Sequence, residues 1–345
     1  MYRFTQMKAE NKLKKILIIL FLALFFVGKI CAFETFKFSV APKYALQNGQ
    51  LDEFVLYSNG KQLSELNWEN NNISLLGVNA TMGWEMILLE TNMLWGIPKS
   101  SGMMYDSDWQ NTSNYGMKTN YSESSNNLDL LGDLQVKLGI DIKTWDFLHI
   151  IPYLGLSYYR IKYTATGGTC WYGDAESQAK YKYGNNWQAH LKEFNDVPYT
   201  NSLAIESDLD SEGDVISYER EMFNYQLGVK AKYNFFTRFT LSADFALSVF
   251  TQVNSLDHHI LRNIYFLDKM TGLFSSFDTA AELDVKIWKG LSAGAGFRFN
   301  YLTQLQGIDY IKNSTDTKFS KASDGSKAAA DGYFYNIEAF VRYSF

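Results

Sequence analysis

The sequence predicts an all-β protein, a transmembrane antiparallel β-barrel of about ten strands with five outer loops. Three observations predict this fold class. Apolar and polar residues alternate over segments of about ten residues, aromatic residues make up 16% of the 345-residue chain, and the alternating C-terminal segment ends on Phe345, as bacterial outer-membrane barrels do. No apolar run is long enough to cross a bilayer as a helix.

Residues 1–32 are typical of a secretory signal peptide. Five basic residues precede an apolar run, Ile16 to Val27, and Ile30-Cys31-Ala32 supplies a cleavage site that would start the mature chain near Phe33. A lipoprotein signal with Cys31 lipidated is the alternative, although Ile30 stands where a small residue is expected. Residues 33–345 are therefore predicted to form the barrel.

Removing the signal peptide makes the chain strongly acidic. The whole chain carries a formal net charge of −5, and residues 1–32 hold six basic residues against one acidic residue, so the mature chain carries −10. Broad electrostatic binding to nucleic acid is not expected, and cationic partners are favoured. Cys170 is the one mature cysteine, so neither an internal disulfide nor a zinc-like cluster is predicted.

The predicted strands each have one apolar and one polar face, because side chains alternate across a strand. From Phe239 to Val249 every odd position is apolar, and most residues between them are polar. A soluble β-sandwich alternates in the same way. The membrane barrel is favoured because the stripes match transmembrane strands in length and the polar faces carry charges such as Glu282 and Arg298. The other alternating segments are 76–84, 279–287, 291–301 and 335–345.

Short and long connections alternate along the chain. Short turns of such barrels face the periplasm and long loops face outside, so five outer connections imply about ten strands. A barrel this narrow fills much of its lumen with side chains, which disfavours a general pore. Short turns are predicted near Gly83–Met86, Lys143–Phe147, Asn234–Arg238 and Lys289–Gly290, long connections at 99–127, 166–217, 252–275 and 304–331, and a tight hairpin at Ser58–Lys61.

Two acidic motifs stand where strands should meet the outer loops. Asp106 and Asp108 share one face of an extended chain, as do Asp257 and His259. A carboxylate beside an imidazole raises the pKa of the imidazole and orients it. Held across a barrel mouth, these groups could activate a water for attack on a peptide carbonyl. Each motif alone is also common in solvated turns and does not by itself indicate catalysis.

Five segments, in this order and spacing, resemble the omptins, outer-membrane endopeptidases of Gram-negative bacteria. The resemblance covers nearly the whole mature chain. The segments are Leu66-Asn67-Trp68, the strand from Asn79 to Trp84, Met104-Tyr105-Asp106-Ser107-Asp108-Trp109, the stretch from Arg160 to Thr169, and Asp257-His258-His259.

The resemblance implies a ten-stranded barrel that cleaves peptides or proteins next to basic residues. It implies that His259 and Asp106 activate the water, that Asp257 orients His259, and that Asp108 supports its partner and the developing charge. It implies no covalent intermediate, no metal and no cofactor. It places the site at the outer face of the outer membrane, and we expect a monomer.

The substrate-binding positions of the family transfer less completely. Glu53 aligns with a family glutamate that binds the basic side chain preceding the cleaved bond. Ser255 occupies the position of the second acidic residue of that pocket. The acid that contacts the residue after the cut falls at Asn120, and a family histidine falls at Ser124. One carboxylate attracts a cation less strongly than two, so a weakened dibasic preference is expected.

Lipopolysaccharide is the lipid partner and activator that the resemblance implies. Basic groups on the barrel wall would hold it, with Arg160 at one such position and a second arginine near Arg220 or Glu221. Arg160 could equally be an interfacial residue whose head group reaches the water.

Two alternatives come from other functional classes. The first is a non-proteolytic or weakly proteolytic surface barrel that acts as an adhesin, suggested by Asn120, Ser124 and Ser255 and by the aromatic- and Asn-rich loop 168–200. The second is a small channel, which the predicted strand number and charged lumen disfavour. His149 and His190 are interpreted as structural or solvated.

Overall fold

The protein is described by a computed structural model over residues 36–172, 175–195 and 207–345. Within these ranges, fifteen strand segments form one antiparallel sheet, which closes on itself because successive neighbours pair all the way round the wall. The predicted barrel class is therefore confirmed. The predicted signal peptide, residues 1–32, lies outside the described residues.

None of the helices in the described part of the chain is long and apolar enough to cross a membrane.

The strands follow one another around the wall in a simple up-and-down order. The strands are β1 (Phe36–Leu56), β2 (Gln62–Trp84), β3 (Ile87–Gly96), β4 (Lys99–Asp108), β5 (Asn120–Ile140), β6 (Ile142–Trp145), β7 (Leu148–Tyr172), β8 (Ser207–Asp208), β9 (Asp214–Phe235), β10 (Phe239–His259), β11 (Ile264–Gly272), β12 (Ser276–Trp288), β13 (Leu291–Lys312), β14 (Ser320–Lys321) and β15 (Lys327–Ser344). The helices are α1 (Ala175–Tyr183) and α2 (Leu191–Asn195), with 3-10 turns at Gly184–His190 and Asp210–Glu212.

The fifteen segments outnumber the predicted ten strands because several segments are parts of one longer strand. β3 and β4 both pair with β2 and β5, and β11 and β12 both pair with β10 and β13. β5 and β6 likewise both pair with β7, while β8 and β14 are two residues long and lie beside the wall. In the described part of the chain, ten long strands then remain around the wall, so the interruptions explain the difference.

The apolar faces of the strands point outward. Leu241 and Phe245 are 45% and 49% exposed, whereas Ser242 and Asp244, between them, are 8% and 6% exposed. A soluble sandwich would bury the apolar face instead. The pattern is that of a barrel whose outer surface meets lipid and whose lumen is polar.

The lumen is filled by ion pairs and aromatic rings. Arg298 bonds to both Asp133 and Asp278, and Lys43 bonds to Glu282 at 3.0 Å and Glu338 at 2.8 Å. A cavity of about 580 Å³ opens at the end of the barrel that carries the short turns, away from the two acidic motifs. The predicted filling of a narrow lumen is borne out along these walls.

Each predicted short turn contains a turn between two strands, at residues 85–86, 146–147, 236–238 and 289–290, and the Ser58–Lys61 hairpin connects β1 to β2. Lys143 to Trp145, predicted as part of a turn, belong to β6 instead. The predicted long connections are wrong in extent. The segment 252–275 is expected as a loop, but β10 continues to His259 and β11 begins at Ile264. The outer half of β10 carries polar residues on both faces, and β11 carries apolar residues on both faces, so neither shows the alternation by which the sequence marks a strand.

These extensions make the strands far longer than a bilayer requires. β1, β2, β5, β7, β9, β10 and β13 have 21 to 25 residues, whereas about ten tilted residues cross a bilayer. Most outward apolar side chains lie in the halves next to the short turns. The opposite halves therefore project beyond the membrane, and both acidic motifs stand at their ends.

Candidate active site

The first acidic motif lies at the end of β4 and faces the lumen. Asp106 stands directly opposite Ser122 of β5, and Asp108 stands opposite Asn120. The Asn120 side-chain amide donates a hydrogen bond to Asp108 Oδ2 at 3.1 Å. Tyr105 points to the other side of the wall, where it packs in a cluster with α1. The alternation of the strand thus directs both carboxylates into the barrel mouth.

The second acidic motif ends β10, and its two functional side chains are in direct contact. His259 Nε2 lies 2.7 Å from Asp257 Oδ2, and both residues are buried. The Phe266 ring packs edge-on against the His259 ring at 5.3 Å between centroids. His258 points the opposite way and stacks on Tyr265 at 3.8 Å. The predicted aspartate–histidine couple is therefore formed.

The two motifs face each other across the mouth. β10 and β4 are four steps apart around a wall of ten strands, so their inner faces look at one another. The Asp106 carboxylate interacts electrostatically with both His259 and Asp257. The structure thus brings the four residues of the predicted catalytic set together from distant parts of the chain.

This proximity changes the proton affinity of the facing groups. Burial and the neighbouring Asp108 carboxylate raise the pKa of Asp106 to about 7, against the opposing charges of His259 and Arg262. Burial alone would lower the pKa of His259, but attraction to Asp257 and Asp106 outweighs it, so this pKa lies above its ordinary value. Both shifts favour a proton at the barrel mouth, on Asp106 or on His259.

Arg262, in the turn between β10 and β11, covers the remaining nitrogen of the imidazole. One of its guanidinium nitrogens, Nη2, is hydrogen-bonded to His259 Nδ1. A guanidinium can only donate, so Nδ1 accepts and the ring proton is on Nε2, where it is donated to Asp257. The sequence reasoning missed Arg262 because it assigned this turn to a long loop.

Glu53 lies on the inner face of β1 and is 3% exposed. Its carboxyl group is hydrogen-bonded to that of Asp268 on β11. Ser255, the position expected to carry a second acid, donates from Oγ to Asp268 Oδ2 at 3.1 Å. Asp268, the direct cross-strand partner of Ser255, therefore places a carboxyl group beside that position.

Asp309 of β13 extends this acidic group by one further strand. It is the cross-strand partner of Asp268 and is 1% exposed. Neither Asp268 nor Asp309 is singled out by the sequence. If residues 260–263 are taken as a tight turn between β10 and β11, the register of this hairpin places Asp268 opposite Ser255. Recognising that turn in the sequence would therefore have identified Asp268.

The two predicted lipid contacts lie on opposite faces of the wall. Arg160 faces outward, where its side chain is 42% exposed and bonds to Glu219, with Nε 2.7 Å from Oε1. Arg220 is wrong as a lipid contact, because it lies inside the barrel at 1% exposure. The outward cross-strand partner of Arg160 is Glu221, one residue further, and a shift of one residue reverses the face.

Arg220 instead helps to build a floor beneath the cleft. It donates to the backbone oxygens of Asp52 and Asp331 at 2.6 and 2.8 Å and lies over the ring of Tyr218. The Trp68 ring stacks on the rings of Tyr218 and Tyr163, with 5.2 and 5.6 Å between ring centroids. Rigid, densely packed rings of this kind separate the outer cleft from the charged lumen below.

The remaining histidines and the cysteine lie apart from the motifs. His149 contacts Asp141 at 2.7 Å near the short-turn end, and His190 contacts Glu193 at 2.7 Å in the helical segment. Cys170 is buried. Ser124 of β5 is fully buried and lies opposite Met104 of β4. Within the described residues, no group of three or more His, Cys, Asp or Glu could hold a metal ion.

Comparison with known proteins agrees with this architecture. The omptin family model matches residues 35–345. The plasminogen activator of Yersinia pestis is 22% identical over 323 residues, which cover 90% of each protein. The crystal structure of the outer membrane protease OmpT from Escherichia coli aligns with a TM-score of 0.73 at 16% identity, covering 91% of this chain and 98% of OmpT. At 16% identity, the similarity to this structure shows a common fold and no more.

Proposed function

This chain belongs to the omptin family of outer-membrane proteases, and on that premise we propose that it is an endopeptidase that hydrolyses peptide bonds next to basic residues. One observation carries the proposal. Asp106 on β4 meets the Asp257–His259 couple of β10 across the barrel mouth. This constellation can hold a water between a base and a carboxylate.

In the proposed reaction, His259 is the general base. Asp257 fixes the ring through Nε2, which leaves Nδ1 to take a proton from the attacking water. Arg262 must turn away first, since it occupies Nδ1 in this arrangement. The water oxygen bonds to the peptide carbonyl carbon, His259 keeps the proton, and it then gives that proton to the leaving amine as the C–N bond breaks.

Asp106 acts as the second partner of the water. In its ionised form it accepts a hydrogen bond from the water and orients it, and its pKa of about 7 makes that form available near neutral pH. Asp108, held by Asn120, increases the negative potential at this wall. The imidazolium that forms on His259 is stabilised by both walls.

We propose further that the site faces the exterior and that lipopolysaccharide supports it. The short turns and both termini of the described barrel lie at the opposite end, which is the periplasmic arrangement of bacterial barrels. Arg160 is the lipid contact that we retain, with Lys162 on the same outward face of β7. A lipid phosphate would have to compete with Glu219 for Arg160.

The test is cleavage of arginine-containing peptides by the purified barrel reconstituted with lipopolysaccharide. Asp106→Asn and His259→Ala should abolish cleavage, by on the order of a thousandfold or more, because each removes a partner of the water. His258→Ala is the matched control, since His258 neighbours His259 but points out of the cleft. Cleavage at the wild-type rate in either catalytic variant would refute the assignment.

A surface-binding role is the second candidate, and one observation favours it. The segment after β7 folds into α1 and α2, and Ala175 and Ala179 of α1 pack against the outside of the wall at Tyr105 and Tyr121. This appendage stands apart from the inward-facing motifs. Binding of a protein partner that persists in Asp106→Asn and is lost when residues 175–195 are replaced would support an adhesin role beside proteolysis.

A further inference from the structure

We propose that Asp268 and Asp309 join Glu53 to form the pocket for the cationic side chain of the residue before the cut, so that the pocket is built from β1, β11 and β13. The inference rests on the proposed function and names the residues that set its specificity. It reverses the expectation of a weakened basic preference, because the acid absent at Ser255 is replaced from the adjacent strand.

The three carboxyl groups form a continuous hydrogen-bonded row. Glu53 contacts Asp268, and Asp268 contacts Asp309, its partner on β13. Ser255 donates to Asp268 and fixes its orientation. Glu53 reaches this row across β15, whose facing residue, Ala330, is small and fully buried. Two carboxyl groups can hydrogen-bond only when one is protonated, so protons occupy the row in the absence of a cation.

Two acceptors in this row lack a donor within the described part of the chain. Glu53 Oε2 and Asp309 Oδ1 are buried and have no hydrogen-bond partner among the described residues, and the same holds for Asp257 Oδ1 beside His259. Buried acceptors without donors are costly, so they point to a ligand that brings donors. A guanidinium offers five donors and no acceptor, which matches this set.

The charges around the row favour the same ligand. Burial, followed by repulsion from Asp257 and Asp268, raises the pKa of Glu53 well above its ordinary value. Burial raises the pKa of Asp268 to about 7 and that of Asp309 to about 6. An entering cation stabilises the ionised carboxylates and displaces the shared protons.

Other charged groups near the row do not offset its acidity. Arg220 of β9 acts on Glu53 from below, and its guanidinium is already engaged by backbone oxygens of the floor. Asp324, in the connection before β15, adds a further negative charge near Asp309. The net field at the pocket therefore favours a cation.

The pocket also lies at the right place relative to the reacting centre. Ser255, Asp257 and His259 point to the same side of β10, and alternate residues of a strand are spaced by about 7 Å. A peptide whose carbonyl carbon lies at His259 would thus direct a long side chain past Asp257 to the row. Arginine and lysine have that length.

The experiment compares two peptides that differ only in charge, one with arginine and one with citrulline before the cut. We expect Asp268→Asn to lower kcat/KM on the arginine peptide on the order of thirtyfold, while cleavage of the citrulline peptide changes little. Asp268→Glu should restore the preference, as should Ser255→Asp combined with Asp268→Asn. Asp316→Asn, in an exposed turn, is the matched control.

The outcomes separate this inference from the proposed function. A wild-type barrel that cuts neither peptide refutes the endopeptidase itself. A wild-type barrel that cuts both peptides equally, or an arginine preference unchanged in Asp268→Asn, refutes the pocket and leaves the endopeptidase standing. If Asp268→Asn does not fold, as judged by its mobility on unheated gels, Asp309→Asn takes its place, and the same results support or refute the pocket.

Discussion

Asp106 and Asp108 project side by side from β4, and this crowding determines how the site responds to pH. Burial and the negative charge of Asp108 both disfavour ionisation of Asp106, which brings its pKa to about 7. The proposed mechanism needs Asp106 ionised. Activity should therefore rise as the pH increases through neutrality and be lost below it.

Asp108→Asn tests this coupling at the residue scale. The variant removes a like charge, so the pKa of Asp106 falls and the acid limb of the kcat/KM profile moves to lower pH, even as the maximal rate decreases. The measurement is a pH profile of peptide cleavage for wild type and variant. An acid limb that stays in place, or that moves to higher pH, would contradict the assignment of that limb to Asp106.

At the scale of elements, the outer ends of β5 and β7 show how the sheet is shaped around the site. The pairing of these strands shifts register between Glu123 and Ser125, and Gly167 and Gly168 lie on the opposing strand with positive φ values of 61° and 102°. A Cβ on Gly168 would lie 1.8 Å from the Glu123 carbonyl oxygen. The bulge that bends this wall therefore depends on a glycine.

Gly168→Ala is expected to destabilise the outer part of the barrel. Both the positive φ and the clash with Glu123 oppose a side chain, and the backbone conformation alone costs about 2 kcal/mol. Urea titration of the reconstituted protein, followed by gel mobility and by peptide cleavage, measures the effect. Gly132→Ala is the control, because a Cβ there meets open space. Equal midpoints for the two variants would show that the bulge tolerates a side chain.

At the scale of the whole molecule, ion pairs across the lumen connect the strands in addition to the hydrogen bonds of the sheet. Arg298 of β13 reaches Asp133 of β5 across the lumen, and Lys43 of β1 reaches Glu282 of β12. These pairs connect strands that are not neighbours in the sheet. Together with the packed aromatic rings beneath the cleft, they hold the two walls that carry the acidic motifs at a fixed separation.

Arg298→Met should therefore destabilise the entire barrel. It leaves the buried carboxylates of Asp133 and Asp278 without their shared cation, which costs about 3 kcal/mol or more. Chemical unfolding monitored by tryptophan fluorescence gives the loss. Lys143→Met removes an exposed pair with Asp146 and should leave the transition unchanged. Similar stability of Arg298→Met and wild type would show that the lumen pairs are dispensable.

Much of the fold follows from the sequence because its signals are local. Alternation from Phe239 to Val249 specifies which face meets lipid, and the short turns follow from the breaks between such segments. The four residues of the proposed catalytic set could also be singled out, since Asp106, Asp108, Asp257 and His259 stand in two short motifs of the resembling family. Each of these inferences needs only residues that are close together in the chain.

What only the tertiary structure decided depends on register and closure. Asp268 and Asp309 join Glu53 because hairpin pairing and closure of the barrel bring three strands together, and Arg220 turns inward by a shift of one residue. Where both faces of a strand have the same polarity, as at the outer ends of β10 and β11, the sequence carries no periodic signal to set that register. The paired backbones and the closed wall set it instead, and they determine which carboxylates share one cleft.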